Sequence, residues 1–191
     1  MIYFEDIKLK THPEVYVPCD DSFLLAENLR VQEEDEVLDV GTGTGILAIV
    51  AAKKAEFILA TDINPQALEL ANENARLNGM KNVKFLESDL FEKINGKFDL
   101  VIFNAPYLPS FENDPLGRAW SGGKDGTAVI KKFLENVSEH LKANGRIQML
   151  VSSITNFEKI ESAAKKNNLK VKILAQKRNF FETFYVLLFE R

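Results

Sequence analysis

The sequence predicts a doubly wound α/β fold, a mostly parallel sheet flanked by helices with an antiparallel addition at one edge. Three observations carry that expectation. From residue 36 onward, short apolar runs alternate with longer stretches of helical periodicity, the pattern of strand–helix–strand units. The stretch "KVKILAQKRNFFETFYVLLFE" (170–190) holds two strands around a polar turn with no helix between them, so that pair has to run antiparallel. Polar signatures follow each of the early strands, where a sheet of this kind binds its ligand.

The elements follow in order. "EVLDV" (36–40) reads as a strand, then a glycine-rich turn, then "ILAIVAAKKA" (46–55) as a helix. "FILAT" (57–61) is the second strand. Asn64 is a natural N-cap with Pro65 at the first helical position, and Gly79 stands where a C-cap belongs. "VKFLES" (83–88) and "FDLVIF" (98–103) are the third and fourth strands. Ile130, Phe133, Leu134, Val137 and Leu141 trace one apolar helix face that ends before Gly145. "RIQMLVS" (146–152) is the fifth strand, and Thr155 with Glu158 predicts a capping box for the helix after it.

Hydrophobic residues make up 46% of the chain and charged residues 27%, an ordinary globular balance. One domain is expected over 1–191, with an N-terminal segment and helix over about 1–35 and the core over 36–191. A net charge of −4 disfavours unaided binding to nucleic acid. Cys19 is the sole cysteine, which excludes an internal disulfide and a cysteine-rich zinc site. The start "MIYFEDIKLK" has no signal-peptide pattern, and no apolar run approaches the roughly 18 residues of a membrane span. A cytoplasmic protein without membrane contact is expected.

The first strand runs into Asp39-Val40-Gly41-Thr42-Gly43-Thr44-Gly45. Glycines there permit a sharp turn and a close approach of ligand to backbone. The third glycine comes one residue too early for the dinucleotide fingerprint G-x-G-x-x-G, and Ile46 stands where its last glycine belongs. That weakens a nicotinamide reading. Asp62, at the end of the second strand, is placed to accept from the two hydroxyls of a ribose; a plain turn acid before the Asn64 cap is the alternative. Past the third strand, Asp89 is placed to accept from an adenine amine, with Leu90 packing on the ring; taken alone, a plain loop carboxylate is the alternative.

These stretches resemble the Rossmann-like S-adenosylmethionine-dependent methyltransferases, from about residue 15 to the end. The resemblance implies a seven-stranded sheet with an antiparallel last strand, S-adenosyl-L-methionine as cofactor and S-adenosyl-L-homocysteine as product. It implies that the turn of Asp39, Gly41 and Gly43 lies under the methionine part. Asp62 would hold the ribose, and Asp89 with Leu90 would meet the adenine. No metal is implied.

Methyl transfer from a sulfonium asks the protein mainly to hold a nucleophile in line. His12 and His140 read as structural or exposed. The better candidate is "NAPY", Asn104-Ala105-Pro106-Tyr107, at the end of the fourth strand. Asn104 can accept from an NH2 group, a backbone carbonyl beside it can accept the second hydrogen, Pro106 restricts Ala105 to extended geometry, and Tyr107 offers a flat face. A planar NH2 substrate fits, either a carboxamide or an adenine amine. "NAPY" resembles the [N/D]-P-P-Y motif of amino-methyltransferases, departing at Ala105. "VYVPCDDSFLLAENL" (15–29) and "WSGGKDG" (120–126) resemble stretches of the archaeal and eukaryotic HemK-like release-factor glutamine methyltransferases. That likeness implies that Ser22 lies near the cofactor, and Asn104 is also expected to bind it. The Gly122, Gly123 and Gly126 run reads either as a plain flexible loop or, from its length beside the site, as a substrate lid.

The same likeness implies as substrate the Gly-Gly-Gln loop of a peptide chain release factor. It also implies a small zinc-binding activator protein as heterodimer partner. With about 35 residues before the first strand, no room is expected for the helical recognition domain of bacterial relatives. The third strand, with Val83 and Phe85, would be a sheet edge open to a partner strand. An adenine-N6 methyltransferase, a non-catalytic cofactor-binding subunit and a nicotinamide-dependent dehydrogenase are the rival readings.

Overall fold

A computed structural model describes residues 1–191 except 113 and 115. The chain opens on a small antiparallel hairpin of β1 (Ile2–Phe4) and β2 (Ile7–Leu9), which has no counterpart among the expected elements. Helix α1 (Asp20–Glu27) follows, then β3 (Glu36–Val40), α2 (Ile46–Ala52), β4 (Phe57–Asp62), α3 (Pro65–Leu77), β5 (Val83–Glu87) and β6 (Phe98–Asn104). The second half holds α4 (Ala128–Asn136), β7 (Leu141–Ser152), α5 (Phe157–Lys166), β8 (Lys170–Arg178) and β9 (Thr183–Glu190).

The seven strands β3 to β9 form one sheet in the order β5-β4-β3-β6-β7-β9-β8. Pairings from β5 through β7 are parallel, and β9 runs antiparallel between β7 and β8. The expected sheet, with its antiparallel final strand and its third strand at the edge, is the one observed. Each face carries its own core. Leu25, Leu47, Ile49 and Val37 belong to the side of α1 and α2, while Ile130, Phe133, Leu134 and Ile160 bring α4 and α5 to the other. Among the described residues no helix is long and apolar enough to cross a membrane.

The α3 boundaries show why sequence signals work where the groups involved are local. Asn64 Oδ1 accepts from the Gln66 N–H at 3.0 Å, relieving an orphan donor of the first turn. At the other end Gly79 takes φ +73°. Its N–H reaches the Arg76 carbonyl at 3.0 Å and the Met80 N–H reaches that of Ala75 at 2.9 Å, a Schellman closure.

Two expectations are corrected. The α4 helix stops at Asn136 and tightens into a 3-10 turn over Val137–His140, so Leu141 begins β7 rather than ending the helix. Leu141 is buried with the α4 face, which is why it kept the periodicity, but the sheet recruits it opposite Phe98. The pairing then jumps to Leu100 with Arg146, and Gly145 sits in that irregularity with the Phe98 carbonyl 2.9 Å from where a Cβ would be.

The cap of α5 is Asn156, which accepts from the Lys159 N–H at 3.1 Å; there is no Thr155–Glu158 box. Thr155 is buried and its hydroxyl turns toward the Tyr107 carbonyl at 3.4 Å. Replacing Asn156 by alanine is expected to cost about 1 kcal/mol in urea unfolding, and Thr155→Ala to act at Tyr107 instead.

Candidate active site

The carboxyl ends of β3, β4 and β6 open into one cavity of about 770 Å³. Ser22, Gly41, Gly43, Asp62, Asp89, Leu90, Asn104, Ala105, Pro106 and Tyr107 all line it. Of the residues assigned from the sequence to the cofactor or the reaction, Asp39 stands back from the cavity. It is fully buried, and its Oδ2 accepts from the Thr42 hydroxyl at 2.6 Å.

The glycine turn owes its shape to three left-handed residues, Gly41, Gly43 and Gly45. Gly45 also needs to lack a side chain, since a Cβ there would meet the Ala71 Cβ at 3.0 Å. Its place is thus explained by packing against α3. Asp62 braces the turn through its Oδ2, which accepts from the Gly43 N–H at 2.9 Å, and its Oδ1 accepts from the Asn64 N–H at 2.9 Å. Burial raises the Asp62 carboxyl above its ordinary value, against these backbone N–H groups that lower it. Burial likewise pushes Asp39 up to about 7, with the Thr42 hydroxyl opposing the shift.

That shift has a sign. A carboxyl raised on folding stabilises the protein fully below its unfolded value near 4, and the contribution is lost as pH rises through about 7. The ligand-free protein is expected to gain less stability than its Asp39→Asn variant as pH climbs from 4 to 8. Chemical denaturation of the pair across that range measures the difference.

Asp89 lies at the surface end of the cavity, where Lys132 Nζ approaches its Oδ2 at 3.3 Å. Leu90 next to it takes φ +48°, a strained angle for leucine. The Ser88 hydroxyl holds that turn, donating to the Leu90 carbonyl and accepting from the Lys93 N–H, both at 3.1 Å.

At the reaction end, the Asn104 amide is oriented by groups from α1. Its Nδ2 donates to Asp21 Oδ2 and to the Ser22 hydroxyl, both at 3.2 Å. Its Oδ1 is buried and has no partner. Asp21 is 3% exposed and also accepts from the Tyr16 hydroxyl at 3.2 Å and from the Ser22 N–H at 2.6 Å. Burial, then the neighbouring Asp21, hold both the Tyr16 and Tyr107 phenols above their ordinary value, so they stay neutral.

Tyr107 packs edge-on against Phe184, ring centres 6.0 Å apart. The 120–126 stretch folds back on this segment. The Leu108 N–H donates to the Trp120 carbonyl at 2.9 Å, and a Cβ on Gly126 would fall 2.1 Å from the Tyr107 carbonyl oxygen.

Tyr16 and Asp21 were not singled out as site residues from the sequence. Asp21 reads there as an acid on the positive end of a helix, a role that α1 bears out by starting at Asp20. Its bonds to Asn104 depend on how the N-terminal segment docks. Asn74, fully buried on α3, does that docking: its amide accepts from the Lys10 N–H at 2.8 Å and donates to the Thr44 carbonyl at 2.9 Å. Gln148 on β7 secures the far end of α1, donating to the Asn28 carbonyl at 2.9 Å. His12 and His140 lie away from the cavity, the second stacked on Phe91 at 4.7 Å.

Comparison with known proteins decides the family. The methyltransferase small domain family matches residues 6–182. The chain belongs to that family. This methyltransferase is 44% identical to a Methanocaldococcus jannaschii protein provisionally named a protein N5-glutamine methyltransferase, over 98% of this chain and 97% of that one. It is 41% identical to the release factor glutamine methyltransferase of Deinococcus radiodurans over 74% of this chain, and spans 55% of that longer protein. Among solved structures, the E. cuniculi Mtq2–Trm112 complex, responsible for methylation of the termination factor eRF1, superposes with TM-score 0.76 at 25% identity. The match covers 93% of this chain and 99% of that one. The resemblance drawn from "NAPY" and its neighbouring stretches thus led to the right family.

Proposed function

We propose that residues 1–191 form a single methyltransferase domain that moves a methyl group from S-adenosyl-L-methionine to the side-chain amide of a glutamine in a peptide chain release factor. The observation that carries this reading is the divided use of the Asn104 amide. Its NH2 is held by Asp21 and Ser22, while its buried oxygen has no donor. A buried acceptor left without a partner is costly, and an incoming NH2 group removes that cost.

The acidic lining supports the choice of cofactor. Among the described lining residues Glu14, Asp21, Asp62, Asp89 and Glu112 are acidic and only Arg118 is basic. Such a wall suits a sulfonium cation and ribose hydroxyls, and repels the pyrophosphate of a nicotinamide dinucleotide. Ser22 and the Gly41–Gly43 turn under the methionine part, Asp62 at the ribose, and Asp89 with Leu90 at the adenine would hold S-adenosylmethionine, with Asp39 fixing the turn through Thr42. When bound, the cofactor supplies a methyl group already activated on sulfur.

The chain's own residues then do the positioning. A carboxamide nitrogen is a weak nucleophile because its lone pair is delocalised. Asn104 Oδ1 accepts one N–H of the substrate and the Ala105 carbonyl accepts the other. Pro106 keeps Ala105 extended, and Tyr107 stacks on the amide plane. The two acceptors fix the direction of the nitrogen, and burial strengthens both bonds. An adenine amine presents the same NH2 geometry, but the acidic rim and the net charge of −4 oppose a nucleic-acid backbone.

Strand β5 is an edge of the sheet, and Val83 and Phe85 on it are only half-buried. A small zinc-binding activator protein adding a strand there completes the proposed enzyme, which would act in the cytoplasm.

S-adenosylhomocysteine should raise the melting temperature and NAD should not. A release factor incubated with labelled S-adenosylmethionine, with and without the activator, should carry the label on the glutamine of its Gly-Gly-Gln loop. Stabilisation by NAD, or label on another residue, overturns the reading.

A further inference from the structure

The β8–β9 hairpin puts two phenylalanines beside the site with nothing to pack on. Phe180 and Phe181 are 98% and 96% exposed. Their position follows from register. Asn104 pairs with Leu150 on β7, Ser152 at the end of β7 pairs with Phe184, and Arg178 pairs with Thr183, so the turn of residues 179–182 projects from the catalytic end of the sheet. Phe184 of the same hairpin meets the Tyr107 ring.

The turn is well anchored for so exposed an element. The Asn179 N–H closes it on the Glu182 carbonyl at 2.7 Å. Lys177 Nζ reaches Asp20 Oδ1 at 3.0 Å, tying the hairpin to the start of α1 next to Asp21. Ser153 and Thr183 exchange two bonds, and the Ser152 hydroxyl donates to Glu182. Elsewhere on this rim Phe111 lines the cavity at 73% exposure, and Ile154 is 41% exposed beside Thr155. Single exposed apolar residues are ordinary, but adjacent aromatic rings held out on an anchored turn are a contact surface.

We propose that the Phe180–Phe181 turn docks the body of the protein whose glutamine enters the cavity, gripping it outside the catalytic pocket. This rests on the glutamine methyltransferase reading above. The turn is continuous with the Tyr107 wall, so a polypeptide with one side chain at Asn104 has its remaining surface at this rim. Its chemistry favours an apolar protein patch over nucleic acid. Glu182 follows the rings in the turn and Asp20 engages Lys177. Among the described residues flanking the turn, only the exposed Arg178 is then a cation without an acid on it in this hairpin's bonds, too little positive charge to track a phosphate backbone. Phenylalanines in such a setting act as anchors that enter a partner's hydrophobic pocket.

The test is the double variant Phe180→Ser/Phe181→Ser, assayed on an intact release factor and on a short Gly-Gly-Gln peptide, with Phe180→Leu/Phe181→Leu as the apolar control. The serine variant should raise KM for the intact factor about tenfold or more. Its turnover of the peptide, its affinity for S-adenosylhomocysteine and its melting temperature should match wild type, and the leucine variant should recover most of the loss. Equal losses on factor and peptide, or no loss on either, overturn the docking role. So does a wild-type dimer that the serine variant abolishes without affecting the factor, or an RNA affinity lost in the same way. All assays include the activator protein; if the wild-type protein with its activator methylates neither substrate, the glutamine reading fails and the docking proposal falls with it.

Discussion

Replacing Asn104 by alanine should lower kcat by about 10²–10³-fold, the loss seen when one preorganised hydrogen-bonding group is removed from a reacting centre. Affinity for S-adenosylhomocysteine should stay within a fewfold, because the Gly41–Gly43 turn, Asp62 and Asp89 are untouched. Asn104→Asp separates geometry from charge. It keeps an acceptor at the Oδ1 position but sets a second carboxylate against Asp21, 3.2 Å from the present Nδ2, so it should also lose turnover and recover part of it at lower pH. Single-turnover methyl transfer alongside calorimetric titration of S-adenosylhomocysteine reads both quantities. An alanine variant that turns over like wild type would remove Asn104 from the chemistry.

Asp21→Asn should follow, with kcat down by about 10- to 100-fold, equivalent to losing a hydrogen bond with a charged partner. Asp21 serves Tyr16, Ser22 and Asn104 with two carboxylate oxygens. An asparagine has one acceptor for the same donors, and its own NH2 would face that of Asn104 or the Ser22 N–H. Asn104 is then free to turn its amide over and present NH2 to a substrate that also brings NH2. Asp21 is a positioning residue in this account. Its loss should appear in kcat with little change in the KM for cofactor, beside a fall of a few degrees in melting temperature from the buried donors left facing each other; a residue needed only for folding would show that fall without the loss of kcat.

The readings that succeeded in the sequence rest on groups close together along the chain. Strand ends, the Asn64 cap, the Gly79 closure and the "NAPY" turn are each set by a few consecutive residues, and each was legible. The misreadings have tertiary causes. Leu141 satisfied a helical period while the sheet claimed it opposite Phe98. Thr155 fitted a capping motif, yet its hydroxyl went to the Tyr107 carbonyl and Asn156 took the cap. Asp21 and Tyr16 reach the site because Asn74 and Gln148 clamp the N-terminal segment from distant elements, and no local pattern announces such bonds. Gly45 was legible as a turn residue, but its reason for lacking a side chain, the approach of Ala71, is a contact across the fold.

The central claim is that the unpartnered oxygen of Asn104 selects a neutral NH2 group on a polypeptide. The most direct measurement offers the wild-type protein, together with the activator, labelled S-adenosylmethionine and a mixture of three acceptors. These are a Gly-Gly-Gln peptide, the same peptide with lysine in place of glutamine, and an adenine-containing oligonucleotide. Fragment-ion mass spectrometry then locates the methyl group. A single methyl is expected on the glutamine side-chain nitrogen and none on lysine or adenine; methyl transfer to the adenine amine, with the glutamine left bare, would contradict selection of a polypeptide NH2 by Asn104.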